Sequence, residues 1–413
     1  MNIYAQAEPL SVNQKSKERL NDQSLVFDLP LLISTIMLIA LGLIMVGSAS
    51  TSIAERQNGE AFYYLWRQLT YLSFALMCSF LIFNIPLKFW KQNGPTLMLI
   101  NVVMLLLVFI PGLGREVNGS MRWIHFGPVS LQLSELVKLF VIFYLAGYLV
   151  RHADAVQNSA GGFLRPLILL VVLAMLLLLQ PDFGAVAVML MTAMVMMWLG
   201  GARLIQFLLL MLVFVAALSM LVFISPYRME RLTGFMNPWA DPFDSGFQLT
   251  QALIAFGRGE WFGVGLGASV QKLFYLPEAH TDFLFAVIAE ELGLLGVLLI
   301  IGLFIVVIMR CLKIARKSEG QGNIFNAYVA YGIGVWIGLQ AFINIGVNMG
   351  VLPTKGLTLP LMSYGGSSLL VMCMAITIVF RVDYETRTDK NSTQPIRKQG
   401  RVRKSNNNSK VHA

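Results

Sequence analysis

Residues 163–199 read FLRPLILLVVLAMLLLLQPDFGAVAVMLMTAMVMMWL, and this stretch decides the fold class. It holds two apolar runs, 163–180 and 183–199, parted only at Gln180-Pro181-Asp182. A membrane-spanning helix needs roughly 20 mainly apolar residues, and each run comes close to that. Pro181 cannot continue a helix, and Asp182 is a residue type that caps the next one. The stretch predicts a tight hairpin of two helices that both cross the bilayer.

Working outward, eight further runs have the same character: 29–49, 62–84, 95–112, 129–150, 204–224, 283–309, 326–350 and 367–381. The predicted fold is therefore an all-α polytopic membrane protein of ten transmembrane helices, with one large extracytoplasmic loop between helices 7 and 8. The membrane domain covers 29–381, including the loop at 225–282. A polar N-terminal tail (1–28) and a basic C-terminal tail (382–413) flank it, and both are expected to be cytoplasmic. Composition agrees. Of 413 residues, 56% are hydrophobic and 13% charged, against about 25% charged in soluble domains. That excludes a free cytosolic enzyme. Cys78, Cys311 and Cys373 are too few and too scattered for a disulfide scaffold or a zinc site, and His125, His152, His280 and His412 have no metal-ligand spacing. No metal motif is legible, and a cofactor, including a divalent cation, is left open.

The basic residues orient the chain. With both termini inside, 21 Lys and Arg fall in inner segments and eight in outer loops, the bias the positive-inside rule requires. The net charge of +9 thus reads as an anchor at the cytoplasmic face, where lipid headgroups are plausible partners, and not as a nucleic-acid surface. The first 28 residues do not resemble a signal peptide. Within the large loop, Gln248–Phe256 predicts a short amphipathic helix. Gly263-Val264-Gly265-Leu266-Gly267 has glycines like a nucleotide loop but no preceding strand, and lies on the wrong side for nucleotide. Asn118-Gly119-Ser120 matches a glycosylation sequon.

Ionisable groups inside spans cost about 2.5–3.5 kcal/mol on insertion scales, so each needs a reason. Glu135 and Lys138 are spaced i, i+3 and share one helix face, as a structural ion pair or as the wall of a polar cavity. Asp282 opens the eighth span after Pro277-Glu278-Ala279-His280-Thr281, as a helix cap or as an outward-facing carboxylate. Glu290 and Glu291 lie about 12–13 Å deeper at 1.5 Å per residue; adjacent on a helix, they cannot share a face. Ser363-Tyr364-Gly365-Gly366-Ser367-Ser368 could expose backbone N–H groups to an anion or simply cap a helix. Arg67, near the outer end of its span, is free to snorkel. Arg122, Glu135, Lys138, Asp182, His280, Asp282, Lys355 and Ser363 all fall toward the outer side. Cations and a carboxylate gathered at one membrane face suit an anionic, lipid-linked substrate.

At these residues the chain resembles the SEDS family (shape, elongation, division and sporulation). The resemblance is carried by Pro238-Trp239-Ala240-Asp241-Pro242-Phe243, Pro277 to Phe283, Ala289-Glu290-Glu291-Leu292-Gly293, and Pro360-Leu361-Met362 with Ser363 to Ser368. It is closer to the division branch than to the elongation branch. Lys355 departs from the family pattern, which has a small residue there. The resemblance implies a peptidoglycan glycosyltransferase that polymerises lipid II, a disaccharide-pentapeptide on undecaprenyl pyrophosphate, on the outer face of the bacterial cytoplasmic membrane at the division septum. It implies partnership with a class B penicillin-binding transpeptidase and other division membrane proteins. It places the catalytic aspartate at Asp282 and the cavity pair at Glu135 and Lys138. Arg122, His280, Ser363 and Glu290 are the remaining substrate-binding candidates. The competing readings are a lipid II transporter, which a polar cavity would also suit, and a non-catalytic division scaffold, which would leave Asp282 a plain cap.

Overall fold

The computed structural model describes residues 27–110, 114–117, 120–126, 129–224, 229, 233–244, 246–273, 276–353 and 356–392. Most of both predicted tails, and Lys355, lie outside these residues. In chain order the elements are α1 (Leu29–Asn58), α2 (Tyr63–Asn84), α3 (Leu87–Leu107), β1 (Gly114–Val117), β2 (Ser120–Phe126), β3 (Val129–Gln132), α4 (Leu133–Arg151), α5 (Ala153–Asn158), α6 (Ala160–Leu179), α7 (Phe183–Leu199), α8 (Leu204–Ile224), α9 (Phe247–Gly259), α10 (Leu284–Glu319), α11 (Ile324–Asn348) and α12 (Gly366–Ser392).

Each of the ten apolar runs lies mainly on a helix among the described residues. Among the described residues, α1, α2, α4, α6, α10, α11 and α12 are long and apolar enough to cross a membrane, and α7 is a shorter apolar helix. The predicted hairpin is present: α6 ends at Leu179, and the Asp182 carboxylate accepts from Ala185 N at 3.2 Å to start α7. Several helices outrun their apolar runs. α1 continues to Asn58, α10 to Glu319 and α12 to Ser392. An apolar run measures the hydrocarbon layer. A helix whose backbone bonds are already satisfied has no reason to stop at its edge.

The all-α expectation needs one correction. Strands β1, β2 and β3 form an antiparallel three-stranded sheet in that order, so the fourth helix starts at Leu133 and not at 129. Val117 pairs with Ser120 across Asn118-Gly119. That dipeptide is a strong hairpin signal, and reading it only as a sequon hid the sheet.

Leucine, isoleucine and phenylalanine cover the outward faces of α1, α2, α6 and α10, as with Ile36, Phe80, Ile168 and Leu298. A lipid-facing surface explains this, since hydrocarbon is as apolar as those side chains. α4 is different. It is buried on nearly every side from Leu133 to Leu149, with Phe143 stacked on Trp90 at 4.7 Å. A helix buried all round belongs to the centre of the bundle, which is where the Glu135–Lys138 pair resides.

The two ends of the bundle differ in kind. At one, Asp28 before α1 holds Arg310 of α10, Arg381 of α12 donates to Phe83 O, and Lys317 faces Asp383 at 3.9 Å. The other end gathers the start of α2, the start of α4, the α6–α7 turn, the start of α10 and the end of α11.

The main departure from a regular helix is in α10. Gly293 has φ 66° and ψ −166°, so the helix is broken there. The segment after α9 is spliced into the gap. Val264 N donates to Glu290 O at 2.9 Å and Gly265 N to Glu291 O at 3.1 Å. Leu294 N and Leu295 N donate in turn to Glu260 O and Trp261 O. Those four helix groups would have bonded one another in an unbroken helix, and the loop satisfies each of them instead. Gly263 and Gly293 lie back to back, and a Cβ on either would overlap the other strand's backbone. The Gly263–Gly267 run is thus a backbone splice. Gly293→Ala should destabilise the fold by about 1–3 kcal/mol from the backbone conformation alone, before the overlap is counted. A lower thermal midpoint in detergent would show it, and an unchanged midpoint would mean the splice does not form.

Candidate active site

Asp282 sits immediately before α10, but it does not cap that helix. The N-cap is Phe283, which makes no side-chain cap bond. The N–H of Ala286 is shared between Phe283 O and Asn348 Oδ1 of α11, each at 3.1 Å. Asn344 Nδ2 and Asn348 Nδ2 both donate to the main-chain carbonyl of Asp282, at 2.8 and 3.0 Å. The backbone is fixed from α11, while the carboxylate makes no hydrogen bond among the described residues. It lies against Gly356, where a Cβ would stand 3.0 Å from Oδ2.

The electrostatics of that carboxylate follow from its place. The residue is partly open to solvent but set deep among protein atoms. Burial pushes its pKa up to about 7, and the negative charges of Glu278 and Asp182 add to the shift while Arg122 opposes it. Arg122 also donates Nε to Gln180 O at 2.8 Å and Nη2 to Pro181 O at 2.7 Å. It therefore ties β2 to the α6–α7 turn while its charge bears on Asp282. Asp182 caps α7 and accepts from Gln132 Nε2 at 3.2 Å.

One turn into α4, Lys138 Nζ donates to Glu135 Oε1 and to Gln340 Oε1, each at 2.9 Å, and lies 5.1 Å from the centre of the Trp336 ring. Both charged residues are buried. Glu135 Oε2 is buried with no partner among the described residues, an acceptor held ready in low dielectric.

The link between the pair and Asp282 was not read from the sequence. Trp336, Gln340, Asn344 and Asn348 recur every four residues on one face of α11, and all are buried. Gln340 Oε1 takes Trp336 Nε1 at 3.0 Å, and Gln340 Nε2 donates to Thr358 O at 3.1 Å. Asn344 Nδ2 donates to Leu357 O at 2.6 Å. This amide ladder joins Lys138 at one rung to Asp282 at another, through the strap 356–358. The legible signal was three carboxamides at i, i+4 and i+8 inside an apolar run.

Three site candidates are already engaged or enclosed by neighbouring residues. Glu290 is fully buried, and its oxygens are held by Ser269 Oγ, Val270 N and Gln271 N, with Arg258 at 3.5 Å. Beside it Glu291 binds Ser48 Oγ and, at 2.9 Å, Lys272 Nζ. Both side chains grip the loop at 269–272 and meet at Ser269, whose Oγ donates to Glu290 and whose N donates to Glu291 at 3.4 Å, so Glu290 anchors this loop. The Ser363 hydroxyl accepts Leu359 N at 2.9 Å inside its own turn. His280 is buried between the rings of Tyr64 and Tyr364, with centroids at 4.8 and 5.5 Å. Burial lowers its pKa, against the opposing charge of Glu278, which favours the neutral imidazole. Asp282, Arg122, Glu135 and Lys138 are the other candidates. Among the described residues no three His, Cys, Asp or Glu side chains meet as a metal site would need.

With this geometry in hand, comparison with known proteins is specific. The family model described as "Cell cycle protein", covering FtsW, RodA and SpoVE, matches residues 29–388. The chain is 57% identical to the probable peptidoglycan glycosyltransferase FtsW of Nitrosococcus halophilus over 90% of this chain and 95% of that one. It is 54% identical to the corresponding protein of Coxiella burnetii over 87% and 97%. A chain from a solved peptidoglycan synthase complex, described as coordinating polymerization and crosslinking, superposes with a TM-score of 0.72 at 27% identity, over 87% of this chain and 98% of that one. The rod shape determining protein RodA of Thermus thermophilus superposes with a TM-score of 0.63 at 27% identity, over 88% and 98%. A match spanning nearly the whole membrane domain, with identities above one half to division proteins, shows that this chain is a multi-pass membrane protein belonging to the FtsW/RodA/SpoVE family of cell cycle proteins, on its FtsW branch.

Proposed function

We propose that this chain is a peptidoglycan glycosyltransferase that polymerises lipid II at the outer face of the cytoplasmic membrane, at the division septum, alongside a class B penicillin-binding transpeptidase. The observation that carries the assignment of the chemistry is the Asp282 carboxylate. Its backbone is clamped from α11, its side chain is unengaged, and its pKa lies near the working pH, where a general base is most effective. In this reading Asp282 takes the proton of the acceptor sugar hydroxyl as that oxygen bonds to the donor anomeric carbon. The bond from that carbon to the lipid pyrophosphate breaks, and the configuration inverts from α to β. Arg122 and Lys138 face the charge that develops on the leaving group, where pre-set cations contribute most. A single carboxylate suffices because the pyrophosphate leaves without protonation. A divalent cation, if used, would ride on that pyrophosphate, and chelation during the assay tests this.

The transporter reading has one observation in its favour, the broken helix at Gly293, since broken helices carry substrate sites in many transporters. Here the loop segment 260–265 fills the break with four backbone bonds, so no helix ends are bared to a passing substrate. Reconstituting the purified protein with its transpeptidase and labelled lipid II decides between them. Glycan polymer is the expected product; label that crosses the bilayer without polymer would overturn the enzyme reading.

The orientation is part of the proposal: ten spans, both termini cytoplasmic, and the large loop outside. A reporter fused after Ala413 should read cytoplasm, and one inserted at Asp244 should read exterior. The opposite result at both places would put Asp282 on the wrong side for this reaction.

A further inference from the structure

Arg67 is a cation on a membrane helix that lacks an anion. It lies one turn into α2 and is half-buried, and no Asp or Glu comes within ion-pair distance of it among the described residues. Its partners are tyrosines. Nη1 donates to Tyr63 OH at 3.2 Å, the guanidinium sits 5.9 Å from the centre of the Tyr71 ring, and Tyr364 lies close enough to feel its charge. The charge of Glu278 acts on the neighbouring Tyr64, and that carboxylate accepts from Thr281 Oγ1 at 2.8 Å. Beside the cluster, His280 Nδ1 is buried without a partner. The surroundings are aromatic rings and hydroxyls, with no carboxylate paired to the guanidinium among the described residues. A buried or half-buried charge left in that state is costly unless a counter-charge arrives.

The level of the cluster narrows the ligand. Phe62, Tyr63, Tyr64 and Trp66 stand at the start of α2, with Phe62 and Trp66 exposed. Such aromatic belts mark the headgroup layer, which is also the layer of lipid phosphates. A guanidinium fork with a hydroxyl beside it matches the tetrahedral oxygens of a phosphate, as a compact ammonium would not. The cluster is rigid: Gln68, the residue after Arg67, donates to Ser363 O and accepts Gly365 N, while Tyr71 OH pairs with Ser130 Oγ.

We propose that Arg67 and the Tyr63 hydroxyl bind the phosphate group of a lipid at the outer membrane surface. This site uses neither Asp282 nor the Glu135–Lys138 pair. Two lipids carry that chemistry, a bilayer phospholipid and a polyprenyl pyrophosphate, and the test separates them. The full chain, purified into phospholipid-free detergent, is titrated with dioleoyl phosphatidylglycerol, with undecaprenyl pyrophosphate and with phosphate-free dioleoylglycerol, and 1:1 adducts are counted by native mass spectrometry. Arg67→Gln should need at least tenfold more of a phosphate-bearing lipid for half-occupancy, with Arg67→Lys and Tyr63→Phe in between and dioleoylglycerol unaffected. A loss with both phosphate lipids identifies a headgroup site; a loss with undecaprenyl pyrophosphate alone identifies a leaving-group site. If Arg67→Gln does not fold, the Lys and Phe variants decide. Unchanged half-occupancy for both lipids in the folded variants overturns the proposal. The result does not depend on the glycosyltransferase reading, which fails separately if no polymer forms.

Discussion

Asp282→Asn should leave a folded, inserted protein that makes almost no polymer. Loss of a general base typically costs about 10²–10⁴ in rate, and lipid II polymerisation by the purified variant measures it directly. The structure removes the main alternative cause of such a loss. The first turn of α10 is capped by Asn348 and not by Asp282, so an inactive Asn variant cannot be explained by a frayed helix. Stability should move the other way. An acid whose folded-state pKa is raised to about 7 favours the fold while protonated and loses that contribution as pH rises from the ordinary carboxylate range through 7. The amide never ionises, so the variant's thermal midpoint should equal the wild type's at low pH and exceed it above pH 7. Wild-type activity should rise about tenfold per pH unit below 7 and level off above it, because the base must be ionised. Near-wild-type polymer from Asp282→Asn would take Asp282 out of the chemistry. A flat pH profile would mean that the carboxylate is ionised throughout and that the local field is weaker than its neighbours imply.

Lys138→Met is expected to have the largest effect on folding. It strands the buried Glu135, with one oxygen already lacking a partner among the described residues, and leaves Gln340 Oε1 with only the Trp336 indole. Removing one partner of a buried ion pair typically costs about 3–5 kcal/mol. The double variant Glu135→Gln/Lys138→Met removes the stranded charge and should recover most of the lost thermal midpoint and yield, yet recover no polymerisation, since the cation facing the leaving group is still absent. Recovery of both stability and activity would make the pair purely structural. Wild-type behaviour of Lys138→Met alone would place it at the periphery.

Much of this protein was legible as sequence because the bilayer is a strict solvent. Within hydrocarbon every backbone polar group must be bonded internally, so apolar runs become helices whatever packs around them; the runs at 163–180 and 183–199 needed no neighbour to declare themselves. Asp182 capped its helix as read, because capping is local chemistry. Glu135 and Lys138 met because i, i+3 geometry brings them together on any helix. What lay beyond the sequence was each case in which two distant segments satisfy each other. Asp282 could be a cap or a free carboxylate, and only the arrival of Asn348 from α11, 66 residues away, released it from capping. Glu290 looked like a carboxylate available to substrate until Ser269, Val270 and Gln271 occupied it. The glycines at 263 and 293 each permit an unusual backbone, but their purpose exists only when the two chains lie back to back. Local rules act over one helical turn. Which buried polar group finds which partner is a matter of tertiary contact, and in this protein that pairing separates the carboxylate left free, Asp282, from the carboxylates already engaged.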